Sequence, residues 1–170
     1  GFPDNAHTFD VQLRALGDAG YRAIAPTMRG YEPSSQPTDK DYRIGTMARD
    51  VLAWVDGLGV EKVHLVGHDW GAAVTYVAGA LAPECFHSLT TMAVPHFPRA
   101  RAAILKSPIQ FRNSWYMSFF QLRGISDVLL QWNDWALVRW LCARWSPGFS
   151  LPDKDWESRR TTFETSGVKE

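Results

Sequence analysis

The sequence predicts an α/β fold: a mostly parallel sheet with helices on both faces, followed by a helical lid. Three observations predict it. Helix-period and strand-period stretches alternate as α-β-α-β-α-β through the first hundred residues, which is the pattern of parallel strands joined by crossover helices. After Pro98 no strand pattern returns. Within the first region lie a strand, a glycine-bracketed turn and a helix around Gly67-His68-Asp69-Trp70-Gly71, the one stretch whose spacing points to chemistry.

Taken in order, Gly1-Phe2-Pro3-Asp4 opens as a loop, and Asp4 or Asn5 is suited to cap a helix with apolar face Phe9, Leu13 and Leu16. Gly17 and Gly20 close that helix, and residues 21–26 read as a strand. Residues 28–35 are rich in turn formers. Met47, Val51, Trp54, Val55 and Leu58 mark an amphipathic helix ending near Gly57. Residues 63–66 form a short apolar strand, the helix after the turn runs to about Leu81, and residues 89–94 form a strand stopped by Pro95. Beyond it, 99–106, 109–122, 126–132, 133–144 and 152–165 read as helical. The predicted domains are 1–98, bearing the sheet, and 99–170, the lid. Six of the eight tryptophans lie after residue 110, and core packing between short helices is the expected role of most of them.

Composition excludes several classes. The chain has 170 residues, is 45% hydrophobic and 21% charged, and balances 18 Lys and Arg against 18 Asp and Glu. Such a chain can bury a domain-sized core and carries no basic field for nucleic acid. No apolar run reaches membrane-spanning length and no signal-peptide pattern opens the sequence. Cys85 and Cys142 have neither metal nor redox spacing, so the expectation is a cytoplasmic protein with reduced thiols, no metal and no cofactor.

The turn at 67–71 has the form of a nucleophile elbow. Such a turn holds its central residue in a sparsely allowed backbone region, at a cost of about 1–3 kcal/mol, and side chains at the flanking glycines are expected to collide with strand and helix. The helix N-terminus behind it favours negative charge. The central residue is Asp69. A serine attacking a saturated carbon would leave an ether. An aspartate leaves an ester that water can cleave, so Asp69 points to displacement at an epoxide or haloalkane carbon. The plainer role for such a residue is a helix N-cap.

Four motifs in order resemble those of the epoxide hydrolases, a branch of the α/β-hydrolase superfamily: Gly1-Phe2-Pro3, Arg29-Gly30-Tyr31 with Ser34-Ser35, the elbow with Trp70, and Ser114-Trp115-Tyr116-Met117-Ser118-Phe119-Phe120-Gln121. The resemblance implies an α/β-hydrolase fold with a helical cap, both incomplete in this chain. It implies Asp69 as nucleophile, the backbone N–H groups of Phe2 and Trp70 as the oxyanion hole, and Tyr116 as hydrogen-bond donor to the epoxide oxygen. Phe2, Trp70, Trp115 and Phe120 would wall a pocket for a small apolar epoxide, with water as co-substrate. The chain departs from the family in one respect. No His among His7, His64, His68, His87 and His96 is followed or oriented as the water-activating base requires, and neither the partner acid nor a second lid tyrosine is found. The expectation is therefore an internal fragment, inactive by itself and not stable as an isolated monomer. Two other functions use the same features: a haloalkane dehalogenase, against which Phe2 counts because an Asn often stands there, and a ligand-binding hydrolase-fold protein without turnover.

Overall fold

The computed structural model describes residues 1–31, 35–99, 106–122, 124–148 and 151–165. Two compact units are present: Gly1–Val94 with the chain from Thr161 on, and Pro95–Arg160.

The first unit is built on a parallel pair of strands, β1 (Val63–His68) and β2 (Phe86–Met92), joined through helix α3 (Trp70–Leu81) and a 3-10 turn at Pro83–Cys85. This is the crossover that the alternating pattern predicts, since parallel strands cannot be joined by a tight hairpin. A bulge opens the ladder: Val63 pairs with Phe86 but His64 pairs with Ser88. Helix α1 (Asp10–Asp18) follows a 3-10 turn at Ala6–Phe9, and the Asn5 side chain accepts from His7 N–H at its start. Helix α2 (Ile44–Gly57) packs on α3, and α3 packs on both strands. The core holds Ala48, Val51 and Val55 from α2, Val74 and Ala78 from α3, and Phe86 from β2. The amphipathic face read from the sequence thus packs as expected, with Met47 and Trp54 flanking it.

Three expectations are corrected in this unit. Residues 21–26 form no strand. A strand exists through its ladder, and among the described residues β1 pairs with β2 alone. The predicted strand at 89–94 begins earlier, at Phe86, where pairing with Val63 starts, and ends at Met92, because Ala93 turns to φ 68° before Pro95 is reached. Leu16, placed on the apolar face of the first helix, is 41% exposed.

The second unit contains α4 (Pro108–Asn113), α5 (Trp115–Phe119), α6 (Ile125–Trp145) and the larger part of α7 (Asp153–Thr165). The predicted helix at 99–106 falls mostly on 100–105, outside the described residues. The single helix expected over 109–122 is divided at Ser114 (φ −94°, ψ 11°). The division expected between 132 and 133 is present as a sharp turn inside α6, with Asn133, Asp134 and Trp135 all at positive φ. The tryptophans do not fill a core as expected. Trp135 and Trp156 are buried, but Trp115, Trp132, Trp140 and Trp145 are 39% exposed or more. The helices that carry them are broken at Ser114 and at 133–135, and Tyr116 meets Trp145 edge to face at 4.9 Å between centroids.

Candidate active site

The elbow forms where the glycine spacing predicts it. β1 ends at His68, Asp69 follows at φ 53°, ψ −119°, and Trp70 begins α3. This backbone region is strained for any residue with a Cβ. It is held from both sides. Asp69 N–H donates to the Met92 carbonyl at the end of β2 (3.2 Å), and the Asp69 carbonyl accepts from Ala72 N–H (2.9 Å) and Ala73 N–H (3.2 Å). Gly67 is buried, and a Cβ there would run into the Gly71 carbonyl and Thr75 Oγ1. Gly71 does not carry the same constraint: a Cβ on it would meet nothing within 4 Å. The expected collision therefore applies to the strand glycine alone, because Gly71 already belongs to α3 and has open space beside it.

The Asp69 side chain separates its two possible roles. A capping aspartate would accept from an N–H of its own helix. Asp69 makes no such bond. Its Oδ1 accepts instead from Phe2 N–H at 2.9 Å, across 67 residues of sequence. Gly1 makes that approach possible, since a Cβ at Gly1 would overlap the Asp69 side chain. The Trp70 N–H belongs to the first turn of α3 and has no acceptor within the helix; its indole is 47% exposed.

Tyr31 also belongs to this neighbourhood. Burial pushes its phenol well above the usual tyrosine range, and the negative charges of Asp69 and Asp4 push it further, so it stays protonated. Its loop is clasped firmly. Tyr31 N–H donates to the Met28 carbonyl (3.1 Å), and Arg29 makes a two-pronged pair with Asp50 of α2, at 2.7 Å on each prong. Motif reading singles out neither Tyr31 nor Gly1 for a place beside Asp69. The signal available for Tyr31 is the run of turn formers that folds its loop back; Gly1 carries no signal beyond its place before Phe2.

The structure thus brings Asp69, Phe2 and the start of α3 together. Tyr116, Trp115 and Phe120 lie in the second unit. There Tyr116 is half-buried between Trp145 and Phe120, and Trp115 stands against Phe119 and Trp140. Among the described residues no cluster of three or more His, Cys, Asp or Glu side chains could hold a metal, and no helix is long and apolar enough to cross a membrane.

A family model for the alpha/beta hydrolase fold matches residues 1–165. The chain belongs to the α/β-hydrolase fold family. Among curated members, it is 36% identical over 136 residues to the AB hydrolase superfamily protein YfhM of Bacillus subtilis, covering 79% of this chain and 48% of that protein. It is 33% identical over 159 residues to an epoxide hydrolase of Caballeronia sordidicola, covering 92% of this chain and 47% of that protein. A crystal structure of the Bacillus megaterium epoxide hydrolase with an inhibitor superposes with a TM-score of 0.87 at 26% identity, covering 99% of this chain and 59% of the other. This α/β-hydrolase chain spans about half the length of the curated relatives it matches.

Proposed function

We propose that the protein is an epoxide hydrolase that opens an epoxide to a vicinal diol through a covalent ester on Asp69. The observation that carries this reading is the Phe2 N–H bond to Asp69 Oδ1, with the carboxylate turned away from any capping role. The match to relatives named epoxide hydrolase supports it.

The chemistry follows from which oxygen is held. Oδ2 attacks a ring carbon, a C–O bond forms, and the C–O bond of the epoxide breaks toward oxygen. The developing alkoxide needs a proton. The Tyr116 hydroxyl is the proposed donor. Oδ1 becomes the carbonyl oxygen of the ester. When water adds, that oxygen takes the negative charge, and Phe2 N–H is already aimed at it, with Trp70 N–H as second donor. Removing one such donor lowers a rate by about 10²–10³. The acyl C–Oδ2 bond then breaks: Oδ2 leaves in the diol with one proton of the water, the water oxygen stays in the restored carboxylate, and the other proton returns to the Tyr116 oxygen. The base that activates water and its orienting acid are assigned to no residue of this chain. Phe2, Trp70, Trp115 and Phe120 are proposed as the apolar walls that favour a small apolar epoxide over its diol.

The test is Asp69→Asn in the intact protein, assayed for diol formation from an epoxide and halide release from a haloalkane in parallel. The expected outcome is diol formation by the wild type with no halide release. The variant should show neither diol formation nor substrate-derived mass on the protein. Halide release in place of diol would favour the dehalogenase, and full turnover by the variant would remove Asp69 from the nucleophile role.

A further inference from the structure

We propose that His64 and His87 form a surface binding site for a late first-row divalent cation, with Zn2+ and Cu2+ as the fitting ions. The bulge at the start of the ladder creates the site. Val63 pairs with Phe86 and His64 with Ser88, so His87 is the extra residue on β2. Bulges re-aim side chains that a regular ladder would alternate between faces. Here the two imidazoles lie with ring centroids 5.1 Å apart at an interplanar angle of 34°. Two imidazoles on one tetrahedral ion, each at a metal–nitrogen distance of about 2.0–2.1 Å, hold their centroids about 5 Å apart. Both rings are exposed, so water can complete the coordination.

The surroundings favour ligation over a bare ring contact. His64 Nδ1 and Ser88 Oγ are hydrogen-bonded at 2.8 Å. In the tautomer that carries its proton on Nδ1, this N–H donates to the hydroxyl and leaves the Nε2 lone pair for a metal. That is how ligating histidines are usually oriented. The Tyr21 ring stands edge-on to His64, with ring centroids 6.2 Å apart. Nitrogen ligands of this kind select Zn2+, Cu2+ and Ni2+ over Mg2+ and Ca2+. The site is independent of Asp69 and of the proposed reaction.

Calorimetric titration of the intact protein with Zn2+, and separately with Cu2+, tests the proposal. One equivalent is expected to bind, Cu2+ more tightly than Zn2+, and Mg2+ not at all. His64→Gln and His87→Gln should each weaken binding by about tenfold or more, and Ser88→Ala by about tenfold. In the wild type, Zn2+ should shift the imidazole NMR signals of His64 and His87 before those of His7, His68 and His96. That readout needs no variant to fold. Absence of binding, or binding that the two Gln variants leave unchanged, would overturn the proposal, as would first shifts at the other histidines.

Discussion

Two glycines around α3 have different reasons to be glycine. At Gly67 a Cβ would meet the backbone carbonyl of Gly71, which cannot move without unwinding the first turn of the helix. At Gly79 a Cβ would meet Leu89 Cδ1, the end of a flexible side chain that is 42% exposed and can turn away. Gly67→Ala is therefore expected to lower unfolding free energy by about 1–3 kcal/mol, the usual cost of overpacking. Gly79→Ala should stay within about 1 kcal/mol of wild type, because alanine's helix propensity offsets the adjustment. Urea denaturation of the intact protein measures both, and equal costs would mean that the elbow is less tightly built than its clearances imply. At this scale the sequence reading succeeds where one short spacing dictates the geometry. Asp69 between two glycines is of that kind; Phe2, which meets Asp69 across 67 residues, was pointed to only by the family resemblance. It misses Gly1 and Tyr31, whose closeness to Asp69 comes from chain folding back over tens of residues.

Among the elements, the turn inside α6 concentrates backbone strain. Asn133, Asp134 and Trp135 are three consecutive non-glycine residues at φ 50°, 55° and 59°. A left-handed residue with a Cβ costs about 1–2 kcal/mol, least for Asn and Asp. The turn is held on both sides: Trp135 is buried, and Asp134 accepts from Arg139 and Arg160, each at 3.2 Å. Asn133 is exposed, which isolates the backbone effect. Asn133→Gly should leave the thermal midpoint nearly unchanged, whereas Asn133→Val should lower stability by about 1–2 kcal/mol. A valine variant as stable as wild type would argue against the left-handed turn. Helix α2 was legible because its apolar residues recur at helical spacing and meet α3. Residues 21–26 read as a strand but form none, because a local side-chain pattern cannot supply the neighbouring strand that hydrogen bonds require. The helices of the second unit were legible in place and blurred at their breaks, since Ser114 carries no breaker signal comparable to a proline.

For the molecule as a whole, the sheet is the telling feature. Two strands are a marginal structure unless apolar layers cover them. α3 lies on both strands, yet Val66 is 48% exposed, Leu89 42% and Met92 40%. Ile24 and Tyr21 add exposed apolar surface in the same unit. The 170-residue chain, prepared by itself, is therefore expected to bind a hydrophobic dye and to melt over a broad range without a cooperative step. A sharp calorimetric transition with no dye binding would refute this. The fold class was legible because α-β alternation is a property of order along the chain. The extent of the sheet was not, because it depends on which strands find partners.

The bond from Phe2 to Asp69 has one more consequence. A carboxylate in water is symmetric, and its two oxygens exchange by a simple rotation. Fastened at Oδ1, Asp69 acquires a front and a back. In the proposed reaction this leaves Oδ2 as the attacking oxygen and gives the attack one direction relative to the start of α3. Which hand of a substrate suits that direction is then decided by the side chains that surround it.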